Sequence, residues 1–184
     1  MKKIIIGVIV VLVLLIGSIM GSYNGLVAAN ENVSGKWSQV ENQLQRRTDL
    51  IPNLVNTVKG YAAHETAVFK NVSDARAKLA GATTVTAKAA ANGELNGALS
   101  RLLAISENYP ALKANQNFAQ LQDELAGTEN RLAVARKDYN EAAQSFNTKI
   151  KTFPTVIYAG MLGFTNKDYF KAEEGAKAVP KVNF

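Results

Sequence analysis

The sequence predicts an all-α protein: an N-terminal transmembrane helix followed by an elongated antiparallel three- to four-helix bundle. Three observations carry that prediction. Residues 4–30 hold no charge, and Ile4 to Met20 is an apolar run close to the roughly 20 residues a helix needs to cross a bilayer. Apolar residues in the body then recur at alternating steps of three and four, the rhythm of helices packed at a shallow angle. No segment shows a competing strand pattern. The expected boundaries are a short cytoplasmic N-terminus at 1–3, a span with its juxtamembrane extension at 4–29, a bundle at 30–178 and a tail at 179–184.

Lys2 and Lys3 precede the apolar run, and the next basic residue is Lys36. Positive charge favours the cytoplasmic side, so the expectation is a bacterial inner-membrane, single-pass protein with the bundle exported. A cleavable signal peptide is the competing reading, since Val27-Ala28-Ala29 resembles a cleavage site. That site lies far beyond the apolar centre, which favours an uncleaved anchor. Gly17, Gly21 and Gly25 form one stripe of small residues, a pattern that lets helices approach closely in lipid. They are the candidates for self-association into a homo-oligomer.

After the span, Val33, Trp37, Val40, Leu44, Arg47, Ile51, Leu54, Val58, Tyr61, Glu65, Val68, Val72, Ala75 and Leu79 keep one seven-residue phase. The phase survives Pro52, which favours one long kinked helix over a restart capped by Thr48 or Asp49. The proline removes its own N–H and crowds the carbonyl of Thr48. Gly81 to Thr84 reads as a turn, with Thr84 or Thr86 capping a helix from about Ala87 to Asn108. Its apolar edge is Leu95, Leu99, Leu102 and Ile105.

Tyr109-Pro110 punctuates the chain. A long helix is expected from about Ala111 to Thr152. Its stripe is Phe118, Leu121, Leu125, Thr128, Leu132, Ala135, Tyr139, Ala142, Phe146, Lys149 or Ile150, and Phe153, where Lys149 breaks the rhythm and Ile150 can take over. A short helix from Thr155 to Leu162 and another from Lys167 to about Lys177 would complete the fold.

Composition excludes much chemistry. The 184 residues contain no cysteine and one histidine, His64. That rules out a disulfide framework, a thiolate metal site and any site needing two imidazoles. His64-Glu65 lacks the second histidine of a zincin motif. No phosphate loop or nucleophile elbow is present. The expectation is no catalytic, cofactor-binding or metal-binding residue. Removing Lys2 and Lys3 leaves 19 basic against 15 acidic residues, an excess of +4. So mild and dispersed a charge suits an anionic membrane surface better than nucleic acid.

The sequence also resembles the LemA family of bacterial membrane-anchored helical proteins. The residues that carry the resemblance begin with Tyr23-Asn24-Gly25-Leu26-Val27 and the run Arg46 to Glu65. They continue through Tyr109-Pro110, Asn117-Phe118 and Thr128-Glu129-Asn130-Arg131. Tyr139-Asn140, Phe153-Pro154, Tyr169-Phe170 and the ending Pro180-Lys181-Val182-Asn183-Phe184 complete them. What the resemblance implies is a single-pass anchor and a long helical bundle with no established activity or cofactor. It points to a scaffold or interaction protein of the cell envelope, touching the bilayer and envelope proteins. A regulatory adaptor of a membrane protease or envelope-stress system, and a bilayer-remodelling bundle, stand as alternatives.

Arg46, Arg47, Asp49 and Asn53 crowd around Pro52. One reading is a polar docking patch beside the bend. The other is structural: Arg47 enters the seam and meets a carboxylate such as Glu124 or Glu129, fixing register. Tyr139-Asn140 and Phe146-Asn147 repeat an aromatic–amide step, expected to set rings in the core and amides between helices. Phe184, at the chain end, either packs along the bundle or is offered to a partner.

Overall fold

The computed structural model describes residues 1–171. Helix α1, Lys2–Lys59, runs unbroken from the apolar segment into the bundle. Its 58 residues make a rod of about 87 Å at 1.5 Å per residue. Helix α2 is Thr66–Gly81, α3 is Val85–Ser106, α4 is the single turn Pro110–Lys113, and α5 is Gln116–Lys151. A 3₁₀ turn follows at Thr155–Ile157. Among the described residues there is no strand.

The long helices α1 and α5 pack antiparallel along the length of α5. Cross-helix pairs mark their register, with Lys36 Nζ 2.9 Å from Asp138 Oδ2 and Arg46 Nη2 3.0 Å from Glu124 Oε2. The α2–α3 hairpin closes on itself and leans on α1. Val33, Val40, Leu44, Ile51, Leu54 and Val58 of α1 are buried, as are Phe118, Leu132, Tyr139 and Phe146 of α5. These are the positions of the seven-residue rhythm, and burying them together is what holds the helices side by side.

Four boundaries differ from the sequence reading. The helix does pass through Pro52, but it ends at Lys59, and α2 restarts at Thr66. Phase continuity does not require chain continuity, because both arms of a reversal can face one core. Gly60, a poor helix former, opens the turn, and Ala62 plugs it at 1% exposure. Helix α5 starts at Gln116, with Asn115 Oδ1 accepting from the Phe118 N–H. Tyr109-Pro110 begins the separate turn α4.

The expected helix 155–162 is one 3₁₀ turn followed by irregular turns, since Thr, Val and Ile are weak helix formers and Gly160 and Gly163 follow. Gly163 has φ +82°, which needs glycine. The Phe153–Pro154 peptide is cis. Phe153 leaves the stripe, 81% exposed, because α5 has already ended at Lys151.

The expected helix from Lys167 is not helical over its described part. Residues 164–171 run without regular structure along α5, for a reason given by Asn140 and Asn147 below. Its remainder, 172–177, lies outside the described residues. Thr84 caps α3 as expected, accepting from the Ala87 N–H at 3.1 Å.

Candidate functional site

The residues around Pro52 meet three other helices. Arg47 projects from the buried face of α1 and is 6% exposed. Its Nη1 donates to Asn92 Oδ1 of α3 at 3.0 Å and to the Glu129 carboxylate of α5. Arg136, two turns along α5, donates to the other Glu129 oxygen at 2.8 Å. One carboxylate thus bridges two guanidiniums, and Asn92, 1% exposed, ties α3 to the same point. A buried charge needs such pairing to be tolerated.

The backbone contributes as well. Pro52 has no N–H to offer the Thr48 carbonyl. Arg76 of α2 supplies the donor instead, Nε to O at 2.8 Å. Thr48 turns its own hydroxyl back to Gln45 O at 2.8 Å. All four main helices converge here: Arg47 and Thr48, Arg76, Asn92, and Glu129 with Arg136.

The neighbours of Arg47 are differently placed. Arg46, Asp49 and Asn53 are exposed. Arg46 pairs with Glu124 across the surface, and Asp49 Oδ1 accepts from Gln45 Nε2 at 2.9 Å. A groove of about 290 Å³ lies beside them, lined by Glu41, Gln45, Thr48, Leu79 and Lys88 among others. Lys88 reaches Glu41 at 3.4 Å.

A second polar arrangement runs along the C-terminal half of α5. Asn140 accepts from the Phe170 N–H at 2.8 Å and donates to its carbonyl at 3.0 Å. Asn147 does the same for Lys167, at 2.7 and 2.9 Å. Seven residues on a helix span about 10.5 Å, and three extended residues span nearly the same. The two amides therefore hold an extended strap by its backbone, taking the place of a helix's own hydrogen bonds. Phe170 is buried between Trp37, with ring centroids 6.4 Å apart, and the Arg136 guanidinium, 5.4 Å from its ring.

Tyr139, 5.0 Å from Trp37 ring to ring, donates its hydroxyl to the Asp168 carbonyl at 2.7 Å. Burial pushes the Tyr139 phenol above its ordinary range, and the Asp168 charge adds to the effect. A hydrogen bond from Lys36, reinforced by its charge, holds the Asp138 carboxyl below its usual range.

Other sequence candidates are not gathered here. His64 is exposed in the turn between α1 and α2. A β-carbon added at Gly17, Gly21 or Gly25 would meet nothing within 4 Å, so the stripe is open along α1. Phe184 lies outside the described residues. Among the described residues, no group of three or more His, Asp or Glu side chains is placed to hold a metal ion.

Sequence reasoning missed Asn92, Lys88 and Arg76. The first two had a signal. Extending the stripe Leu95, Leu99, Leu102 backwards by three and then four lands on Asn92 and Lys88. Arg76 had none, since its role depends on how α2 folds back.

A family model described as the LemA family matches residues 36–184. The chain is 29% identical over 182 residues to "Magnetosome protein MamQ 2" of Paramagnetospirillum magneticum, covering 85% of this chain and 67% of that protein. It is 29% identical over 185 residues to "Magnetosome protein MamQ" of Magnetospirillum gryphiswaldense, covering 86% and 68%. It is 26% identical over 156 residues to "Protein LemA" of Metamycoplasma hominis, covering 84% and 71%.

Proposed function

The chain belongs to the LemA family, and from that premise we propose that it is a non-catalytic scaffold anchored in the bacterial inner membrane. Its N-terminus is cytoplasmic and its bundle stands on the exported side, docking envelope proteins. The observation that carries this reading is the continuity of α1. One helix supplies both the apolar segment and the central seam of the bundle. A surface on the bundle is thereby held at fixed height and direction over the membrane. The polar groups that converge at Arg47 bind one another, which suits a structural node better than a reacting centre.

The partner-facing residues in this reading are Arg46, Asp49 and Asn53, beside the groove against the α2–α3 hairpin. Arg47 supports them from beneath by locking the four helices. The apolar stripes that a bilayer-remodelling bundle would have to expose are buried, which favours the scaffold.

Photo-crosslinking residues placed at Asp49 and Asn53 in intact cells test it. Light-dependent adducts with envelope proteins are expected. No adduct from either site, with the protein present at normal level, overturns the scaffold reading. A cysteine at Asn53 should react with an impermeant maleimide in intact cells. Reaction only after the inner membrane is opened overturns the orientation.

A further inference from the structure

Five large apolar side chains stand exposed within eleven residues after α5. Phe153 is 81% exposed, Val156 52%, Ile157 65%, Met161 86% and Leu162 43%. Elsewhere past residue 27, the exposed large hydrophobics among the described residues are scattered: Tyr61, Val134 and Tyr169. Isolated ones are ordinary, but a contiguous patch marks a contact surface.

The segment is folded. Ala159 is buried, and Tyr158 and Phe164 pack against the core. The Phe164 N–H closes back on the Ala159 carbonyl at 3.0 Å, and the Val156 N–H bonds Thr152 O at 2.9 Å. The same apolar residues therefore point outward by construction.

Position identifies what they meet. Phe164 sits 6.0 Å from Tyr23 and 6.1 Å from Phe146, ring centroid to ring centroid. Tyr23 comes three residues after the apolar run Ile4 to Met20. Because α5 descends antiparallel to α1, its end and this turn lie level with the point where α1 leaves the apolar segment. Tyrosine is favoured at that depth. Charge agrees. Residues 142–167 contain no Asp or Glu but include Lys149, Lys151 and Lys167, the first two exposed. Lysines flanking apolar side chains are what an anionic lipid surface attracts.

We propose that residues 153–162 form a second membrane contact, with Phe153, Ile157 and Met161 seated at the headgroup–acyl boundary of the leaflet from which α1 emerges. This rests on reading α1 as the membrane span. The bundle then stands on two points rather than one, which fixes its tilt and rotation as well as its height.

The chain has no native cysteine, so single cysteines can carry an environment-sensitive fluorophore. Full-length protein bearing it at Ile9, Ile157, Met161 or Val134 is reconstituted into vesicles of phosphatidylethanolamine and phosphatidylglycerol. The expected result is a blue shift at 157 and 161, and loss of their emission to lipids spin-labelled near the headgroup. Val134, exposed on the bundle, should keep its emission. The Ile9 probe should be quenched by lipids labelled deep in the chains. A quenched Ile9 with 157 and 161 as wet as Val134 overturns the second contact and leaves the anchor standing. An unquenched Ile9 overturns the span and this proposal with it. Probes at 157 and 161 that are shielded yet untouched by spin-labelled lipid, and that crosslink between copies, overturn it in favour of a protein interface. The double variant Ile157→Asp, Met161→Asp should lose the headgroup quenching of a probe at Phe153. Unchanged quenching there also counts against the proposal.

Discussion

Two adjacent arginines show how burial sets the worth of an ion pair. Arg46 and Glu124 are each about half exposed, at 56% and 49%, and such pairs contribute about 0–1 kcal/mol. The Arg47 side chain is 7% exposed against 34% for Glu129. Removing Arg47 leaves Asn92 and Glu129 without their shared donor. Loss of one partner from a buried pair costs roughly 3–5 kcal/mol, and the partial exposure of Glu129 lowers that to about 2–3. Arg47→Met should therefore lower stability in urea several-fold more than Arg46→Ala. Equal effects would show that the node is not structural. Tyr139 carries a pH prediction. Its pKa is higher in the native state than in the unfolded one, so the neutral phenol favours folding. That contribution is whole below about pH 10 and is lost as pH rises through the raised native value. Tyr139→Phe should cost about 0.5–1.5 kcal/mol at neutral pH from the missing bond to Asp168. It should also melt with a shallower alkaline decline than the parent. Parallel alkaline curves would remove Tyr139 from the account.

At the scale of elements, a proline in mid-helix poses a problem that another helix solves. The Thr48 carbonyl lost its partner to Pro52 and gained Arg76, which fastens α2 to α1. Arg76→Ala should cost about 1–3 kcal/mol by leaving that carbonyl unmet. Pro52→Ala restores an N–H four residues on, so the Arg76→Ala penalty should shrink markedly in that background. A double-mutant cycle in urea reads the coupling, and additive losses would contradict the assigned role. The sequence already carried half of this. The helix through Pro52, the stranded carbonyl and the Arg47–carboxylate seam were legible, because proline chemistry and seven-residue spacing are local. The donor's identity was not, because Arg76 is 28 residues away and arrives only through the turn at 60–65. The same divide explains the strap. Asn140 and Asn147 stood out beside core aromatics, but the partner was expected to be another helix. An amide side chain bonds any backbone with free N–H and C=O groups, and spacing on α5 cannot say whether the facing segment is coiled or extended. The exposed turn at 153–162 was hidden for a related reason. Phe153 continues the stripe in sequence, and only the actual end of α5 turns it outward.

For the whole molecule, α1 belongs to two environments, and the line between them can be located. Among the described side chains, Leu26 is the first that is buried, at 2% exposure, and Val33 is the next. Tyr23 touches Phe164, whereas described side chains before Gly21 are exposed. The bundle's cohesive energy therefore begins at about Tyr23. Residues 2–22 add length to the same helix without adding core. A chain lacking residues 2–21 should melt within about 4 °C of the full-length protein in detergent, the shift expected for a change near 1 kcal/mol. Leu26→Ala in the full-length chain should instead cost roughly 2–4 kcal/mol, since it opens a cavity where α1 meets the packed core. The contrast separates a span that merely carries the bundle from one that is part of its fold. If truncation lowers the melting temperature as much as Leu26→Ala does, the span makes contacts that hold the helices together. The anchor and the bundle would then be one cooperative unit rather than one rod with two jobs.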